Sequence, residues 1–107
     1  MYDIDYFIKK FEAIPEENWI CGIYGKGYAH CTVGHCYDGR SYIENPQVEP
    51  LFSIFGKYPF AINDGYDKNY QQPTPKQRIL AALYDKKAEM AVKEAQEIVN
   101  TEQLELV

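Results

Sequence analysis

His30, Cys31, His35 and Cys36 fall within seven consecutive residues of the stretch "YAHCTVGHC". Thiol and imidazole side chains this close together suggest either nucleophilic catalysis or metal binding. If the stretch is helical, Cys31 and His35 share a face, because residues four apart lie one above the other. An imidazole beside a thiol near the positive end of a helix lowers the thiol pKa and makes thiolate available. Asn63 or Asp64, from across the fold, can orient the imidazole in the manner of Cys-His-Asn enzymes. The candidate catalytic set is therefore Cys31 as nucleophile, His35 as base, and Asn63 or Asp64 as orienter, for a hydrolase or transferase reaction. The opposing expectation is a buried Cys31 packed as a small apolar residue, with His35 satisfied by a backbone carbonyl.

The metal reading takes His30, Cys31, His35 and Cys36, with Cys21 as a further ligand. Zinc requires four nitrogen or sulfur donors at tetrahedral corners. Adjacent residues on a helix point about 100° apart, so these four do not converge from a single helix. The repeated pairs with two intervening residues that mark zinc sites are also missing. No metal and no cofactor is expected. The Asn63-Asp64-Gly65 run has an ordinary explanation as a turn, with Asp64 free to cap a helix or pair with Arg78.

Elements that would position these residues follow from hydrophobic spacing. Asp3 can cap a helix carrying Ile4, Phe7, Ile8, Phe11 and Ile14 on one face, ended by Pro15. "PEENWICGIYGKG" reads as a short helix or an irregular extended stretch, weakened by Gly22 and turning at Gly25 and Gly27. "YAHCTVGHC" reads as one or two helical turns, broken by the Asp38-Gly39 turn. Around "NPQVEPLFSIFG" a helix starts at Asn45 or with Pro50 in its first turn, buries Leu51, Phe52 and Phe55, and stops at Gly56. A brief extended piece is expected over residues 60–62. Thr74, Pro75 and Gln77 have the form of a capping box opening a helix over about 75–99. Its first half points Ile79, Leu80 and Leu83 inward. Its second half carries Ala88, Ala91, Val92, Ala95, Ile98 and Val99, buries little area per turn, and is able to project from the body. The tail after residue 99 is expected to fray.

The fold class expected is mainly α: one compact domain over residues 1–107, of four or five helices with irregular connections and at most a short extended piece. At 107 residues there is room for one domain and not comfortably for two. Ten of the sixteen aromatic residues are tyrosines, which suits a small core with a polar rim or a binding surface.

The net charge of −5 and the lack of any basic run longer than Lys9-Lys10 or Lys86-Lys87 argue against a nucleic-acid partner. No apolar run is long enough for a membrane span, and "MYDIDYF" is not a secretory leader. Three cysteines leave one over after any pairing, which fits free thiols in a reducing cytoplasm.

The order "WICGIY", "HCTVGHC", "LFSIFG", "INDG", "TPKQRILAAL" resembles a widespread group of small bacterial and phage proteins, the domain of unknown function 6197. The positions that carry the resemblance are Trp19, Gly22, Cys31, Gly34, Asn63, Asp64 and Thr74, within residues 19–85. Members often have an apolar residue where this chain has His35, which undercuts a Cys-His pair. The resemblance brings no activity; it implies the same helical fold and a coupling of Cys31 with Asn63-Asp64. The function expected is a soluble, non-enzymatic binding module, a bacterial or phage accessory protein. It would meet a protein partner or a second copy through the C-terminal helix. The thiol enzyme is the alternative.

Overall fold

The computed structural model describes residues 2–21, 25–26, 29–36, 46–56 and 59–105. The chain is mainly helical. In order, it forms α1 (Ile4–Glu12), a 3-10 turn (Glu16–Asn18), two-residue strands β1 (Gly25–Lys26) and β2 (Ala29–His30), α2 (Thr32–His35), α3 (Val48–Phe55), α4 (Phe60–Asn63) and α5 (Pro75–Glu105). No helix among the described residues is long and apolar enough to cross a membrane.

Helix α1 forms where its apolar spacing places it. The Asp3 carboxylate accepts from the Tyr6 backbone N–H at 2.9 Å, satisfying one of the free donors of the first turn. Ile4, Phe7, Ile8 and Phe11 are buried along one stripe. Phe7 and Phe11 stack at 5.9 Å between centroids, and Trp19 meets the Phe11 ring edge-on at 5.5 Å. Each fully buried phenylalanine contributes on the order of 1.5–3 kcal/mol through burial. The 3-10 turn after Pro15 brings Trp19 back onto this stripe, and the indole N–H reaches the Ile14 carbonyl at 3.4 Å.

Helix α3 has Pro50 in its first turn, where a missing N–H costs nothing, and buries Val48, Leu51 and Phe55. It ends on Gly56 at φ 67°, a left-handed conformation that glycine adopts freely. The Tyr6 hydroxyl donates to the buried Gln47 side chain at 2.9 Å, tying α1 to the start of α3.

Two expectations from spacing are corrected. Residues 60–62 are not extended: they lie in the single helical turn α4. Pro59 (φ −71°) is already suited to a helix start, and the backbone N–H groups of Asn63 and Asp64 bond back to Pro59 and Phe60. Three apolar residues in a row carry neither a period of 2 nor one of 3.6, so pattern alone does not decide between the two forms. The tail also differs from expectation, because α5 continues without interruption past residue 99 to Glu105.

A third difference lies in "YAHCTVGHC". Only Thr32–His35 is helical, while Ala29 and His30 pair antiparallel with Lys26 and Gly25. Gly22, Gly27, the Asp38-Gly39 turn and the Asn45 helix start fall outside the described residues.

Helix α5 completes the core. Thr74 accepts from the Gln77 backbone N–H at 3.2 Å at its start, and Ile79, Ala82 and Leu83 are buried against α1, α3 and α4. Lys76 donates to the Glu12 carbonyl at 3.0 Å, satisfying an acceptor at the end of α1. Immediately after Leu83, Tyr84 hydrogen-bonds the Glu12 carboxylate, and one turn past Leu83 Lys87 pairs with Asp5 at 2.7 Å.

Among the described residues those are the last ties to the body, and every described side chain from Lys87 to Glu102 is exposed. At 1.5 Å per residue, the 31 residues of α5 run to about 46 Å. The molecule accordingly measures 61 × 31 × 22 Å, and its radius of gyration of 16.3 Å exceeds the ~13 Å typical of a rounded 100-residue domain.

Candidate functional site

Cys31 precedes α2 and its carbonyl accepts from the His35 backbone N–H at 2.9 Å. With four residues, α2 is a single turn, so few aligned peptide dipoles act on the Cys31 thiol. Cys31 is only 4% exposed and belongs to the same apolar cluster as Phe7, Phe11, Trp19 and Leu83; Cys36 is also fully enclosed there. The His35 imidazole is half-buried and rests on the Trp19 indole, with ring centroids 4.6 Å apart.

Asn63 ends α4 with its side chain entirely buried. Its Oδ1 accepts from the Thr32 backbone N–H at 3.0 Å and from Thr32 Oγ1 at 2.8 Å. Its Nδ2 donates to the Ile20 carbonyl and to Asp64 Oδ1, both at 2.8 Å. A carboxamide has two donor hydrogens and two acceptor lone pairs, so this set uses all four. No hydrogen-bonding capacity remains with which Asn63 could hold an imidazole. Of the residues singled out by sequence, the fold therefore joins Asn63 to Asp64 directly. It joins Asn63 to the Cys31 segment through Thr32, and it places His35 against Trp19.

Arg78 closes the arrangement from α5. Nearly buried, its guanidinium donates to the carbonyls of Ile62 (3.2 Å), Asn63 (2.6 and 3.2 Å) and Gln72 (2.8 Å). The first two belong to the C-terminal end of α4, where the Ile62 carbonyl also accepts from the Gly65 backbone N–H at 3.2 Å. A cation at a helix C-terminus is favourable on charge as well as on hydrogen bonding. Gly65, at φ 84°, turns the chain beside the guanidinium.

The thiol at the edge of this cluster is that of Cys21, which is exposed. It donates to the Asn63 carbonyl at 3.5 Å and lies 3.6 Å from Arg78 Nη2. Partial burial, and then the neighbouring Asp64 carboxylate, push its pKa up, against the opposing pull of Arg78. Cys21 is thus held as a protonated thiol at neutral pH, which is the wrong state for a nucleophile.

Among the described residues, no three His, Cys, Asp or Glu side chains are grouped so that they could hold a metal ion.

Thr32 and Arg78 are the members that spacing did not select as site residues. Arg78 had a signal: it sits four positions before Ala82 on the inward face of α5, where a cation must find acceptors. Thr32 had none, since a hydroxyl next to a cysteine is unremarkable until Asn63 is placed opposite it. Set against models of protein families, curated proteins and solved structures, the chain matches none of them.

Proposed function

We propose that this chain is a non-enzymatic interaction module, which engages a partner along the distal half of α5. The observation that carries the reading is a helix prolonged well past its last buried residue, Leu83. Its continuation keeps Ala88, Ala91, Val92, Ala95, Ile98 and Val99 at helical spacing and exposed to water, Val92 at 70%, Ile98 at 59% and Val99 at 44%. Isolated helical segments of this length are marginal in water, and their stability comes from covering the apolar face. The body of the chain leaves that face uncovered, and a partner would cover it.

The polar cluster around Asn63 supports this reading over a thiol enzyme. Cys31 is enclosed, Asn63 has no spare hydrogen bond, and the exposed Cys21 is kept protonated. These residues lock α2, α4 and α5 together and so hold the helix that projects. An accessory protein of a bacterium or phage, working in a reducing cytoplasm where three cysteines outside any disulfide are stable, is the biological setting that fits.

The test replaces two side chains outside the core, Val92→Ser with Ile98→Ser. The variant should melt at the same temperature as the parent chain. It should also lose whatever associates with the stripe, read as a protein retained from a bacterial lysate or as a mass increase in light scattering. Identical capture and identical monomeric mass in both proteins would mean that the stripe has no partner.

A further inference from the structure

We infer that the occupant of this stripe is a basic amphipathic helix of another protein rather than a second copy of this chain, an inference that rests on the interaction reading above. The first observation is direction. At 100° per residue, Ile79, Ala82 and Leu83 mark the core-facing side of α5, while the stripe from Ala88 to Val99 is centred roughly 160° away. The distal half therefore faces away from α1 and α3. The stripe is also shallow along its middle, where Ala88, Ala91 and Ala95 leave room for larger side chains of an opposing helix.

The second observation is charge. Ten Lys and Arg and eleven Asp and Glu precede Ala88; one lysine and five glutamates follow Val92 or flank it, so four of the five net negative charges lie in the last twenty residues. Glu89 lies on one edge of the stripe, Glu94 on the other, and Glu102 at its distal end. A hollow beside Ile98 is lined by Glu94, Glu97, Thr101 and Glu102. The basic residues nearby do not balance them. Lys87 is engaged with Asp5, Lys93 is a single cation beside Val92 in a hollow it shares with Glu89, and Lys86 meets Glu89 only at 3.7 Å across an exposed pair, a contact of little worth.

Flanking charges set which helix pairs with which. A second copy would set one segment of net charge −4 against another of the same charge, which disfavours self-pairing. A helix with Leu or Ile along one face and Lys or Arg on its edges satisfies both the stripe and its rim.

The experiment uses the full chain and two 21-residue peptides with leucine at a and d of each heptad, one carrying lysine and the other glutamate at e and g. Binding is measured by fluorescence anisotropy at 150 mM salt, with light scattering on the chain alone. The lysine peptide should bind at least tenfold more tightly than the glutamate peptide. Val92→Ser with Ile98→Ser should weaken it tenfold or more, and Glu89→Gln with Glu94→Gln and Glu102→Gln should narrow the preference between peptides. Equal binding of both peptides, or a dimer of the chain that the two serines dissolve, would overturn the basic occupant while leaving the stripe an interaction face. Lysine-peptide binding that the serines do not weaken, or no binding of either peptide by a monomeric chain, would overturn both.

Discussion

Asn63 Oδ1 takes both donors of Thr32, the backbone N–H at 3.0 Å and the hydroxyl at 2.8 Å, in a fully buried contact between α4 and the first residue of α2. Removing the carboxamide strands Thr32 and the Ile20 carbonyl together. Each buried polar group left without a partner costs about 1–3 kcal/mol. Asn63→Ala should therefore lower unfolding free energy in urea by about 3 kcal/mol or more. Thr32→Val keeps the N–H bond and should cost about 1–2 kcal/mol. Equal costs for the two variants would show that the side-chain bonds of Asn63 contribute little beyond the hydroxyl.

The three thiols should separate on alkylation. Cys21 is exposed, whereas Cys31 and Cys36 are enclosed in the core. Iodoacetamide followed by mass spectrometry should modify Cys21 first and the other two only on unfolding. Because partial burial and then Asp64 raise the Cys21 pKa, the pH midpoint of labelling should lie above that of free cysteine, and Asp64→Asn should move it part of the way down. Faster labelling of Cys31 than of Cys21 would reinstate a reactive nucleophile there.

Glycine is required at two turns for backbone reasons alone. Gly56 and Gly65 adopt φ 67° and 84°; a Cβ at Gly56 meets nothing within 4 Å, and at Gly65 only the Arg78 guanidinium at an ordinary 3.6 Å. Gly56→Ala and Gly65→Ala should thus each cost about 1–2 kcal/mol, the left-handed penalty for an L side chain, in thermal or urea unfolding. A much larger loss at Gly65 would point to disruption of the Arg78 carbonyl contacts.

Tyr70 donates to Asp85 at 3.0 Å, and burial together with that carboxylate pushes its pKa up to about 12. The folded state holds this proton where the unfolded chain has lost it. The resulting contribution to stability is complete below about pH 10, the ordinary tyrosine value, and is lost as pH rises towards 12. Tyr70→Phe should flatten the fall in stability over that interval, seen by chemical denaturation at successive pH values. An unchanged slope would mean that Tyr70 titrates normally.

The long elements were legible because their signals are local. Asp3, Thr74 and Gly56 act within a turn of their own positions, and the stripes of α1 and α5 repeat often enough to define a 3.6 period. Residues 60–62 are too few to show any period, so α4 was decided by Pro59 and by the burial of Ile62 and Asn63. The pairing of Asn63 with Thr32, 31 positions earlier, is a tertiary fact with no local trace. The clustering of cysteine and histidine near residue 31 drew attention for the same reason in reverse. Closeness along the chain indicates which side chains can meet, but says nothing about whether solvent reaches them.

The central claim is that α5 beyond Lys87 serves another molecule and not the fold. Amide hydrogen exchange resolved along α5 tests it most directly. The account predicts that amides near residues 79–83 exchange only through global unfolding, while those of residues 88–99 exchange orders of magnitude faster in the isolated chain at every protein concentration. Protection across residues 88–99 equal to that at 79–83, in dilute solution of the chain alone, would contradict it.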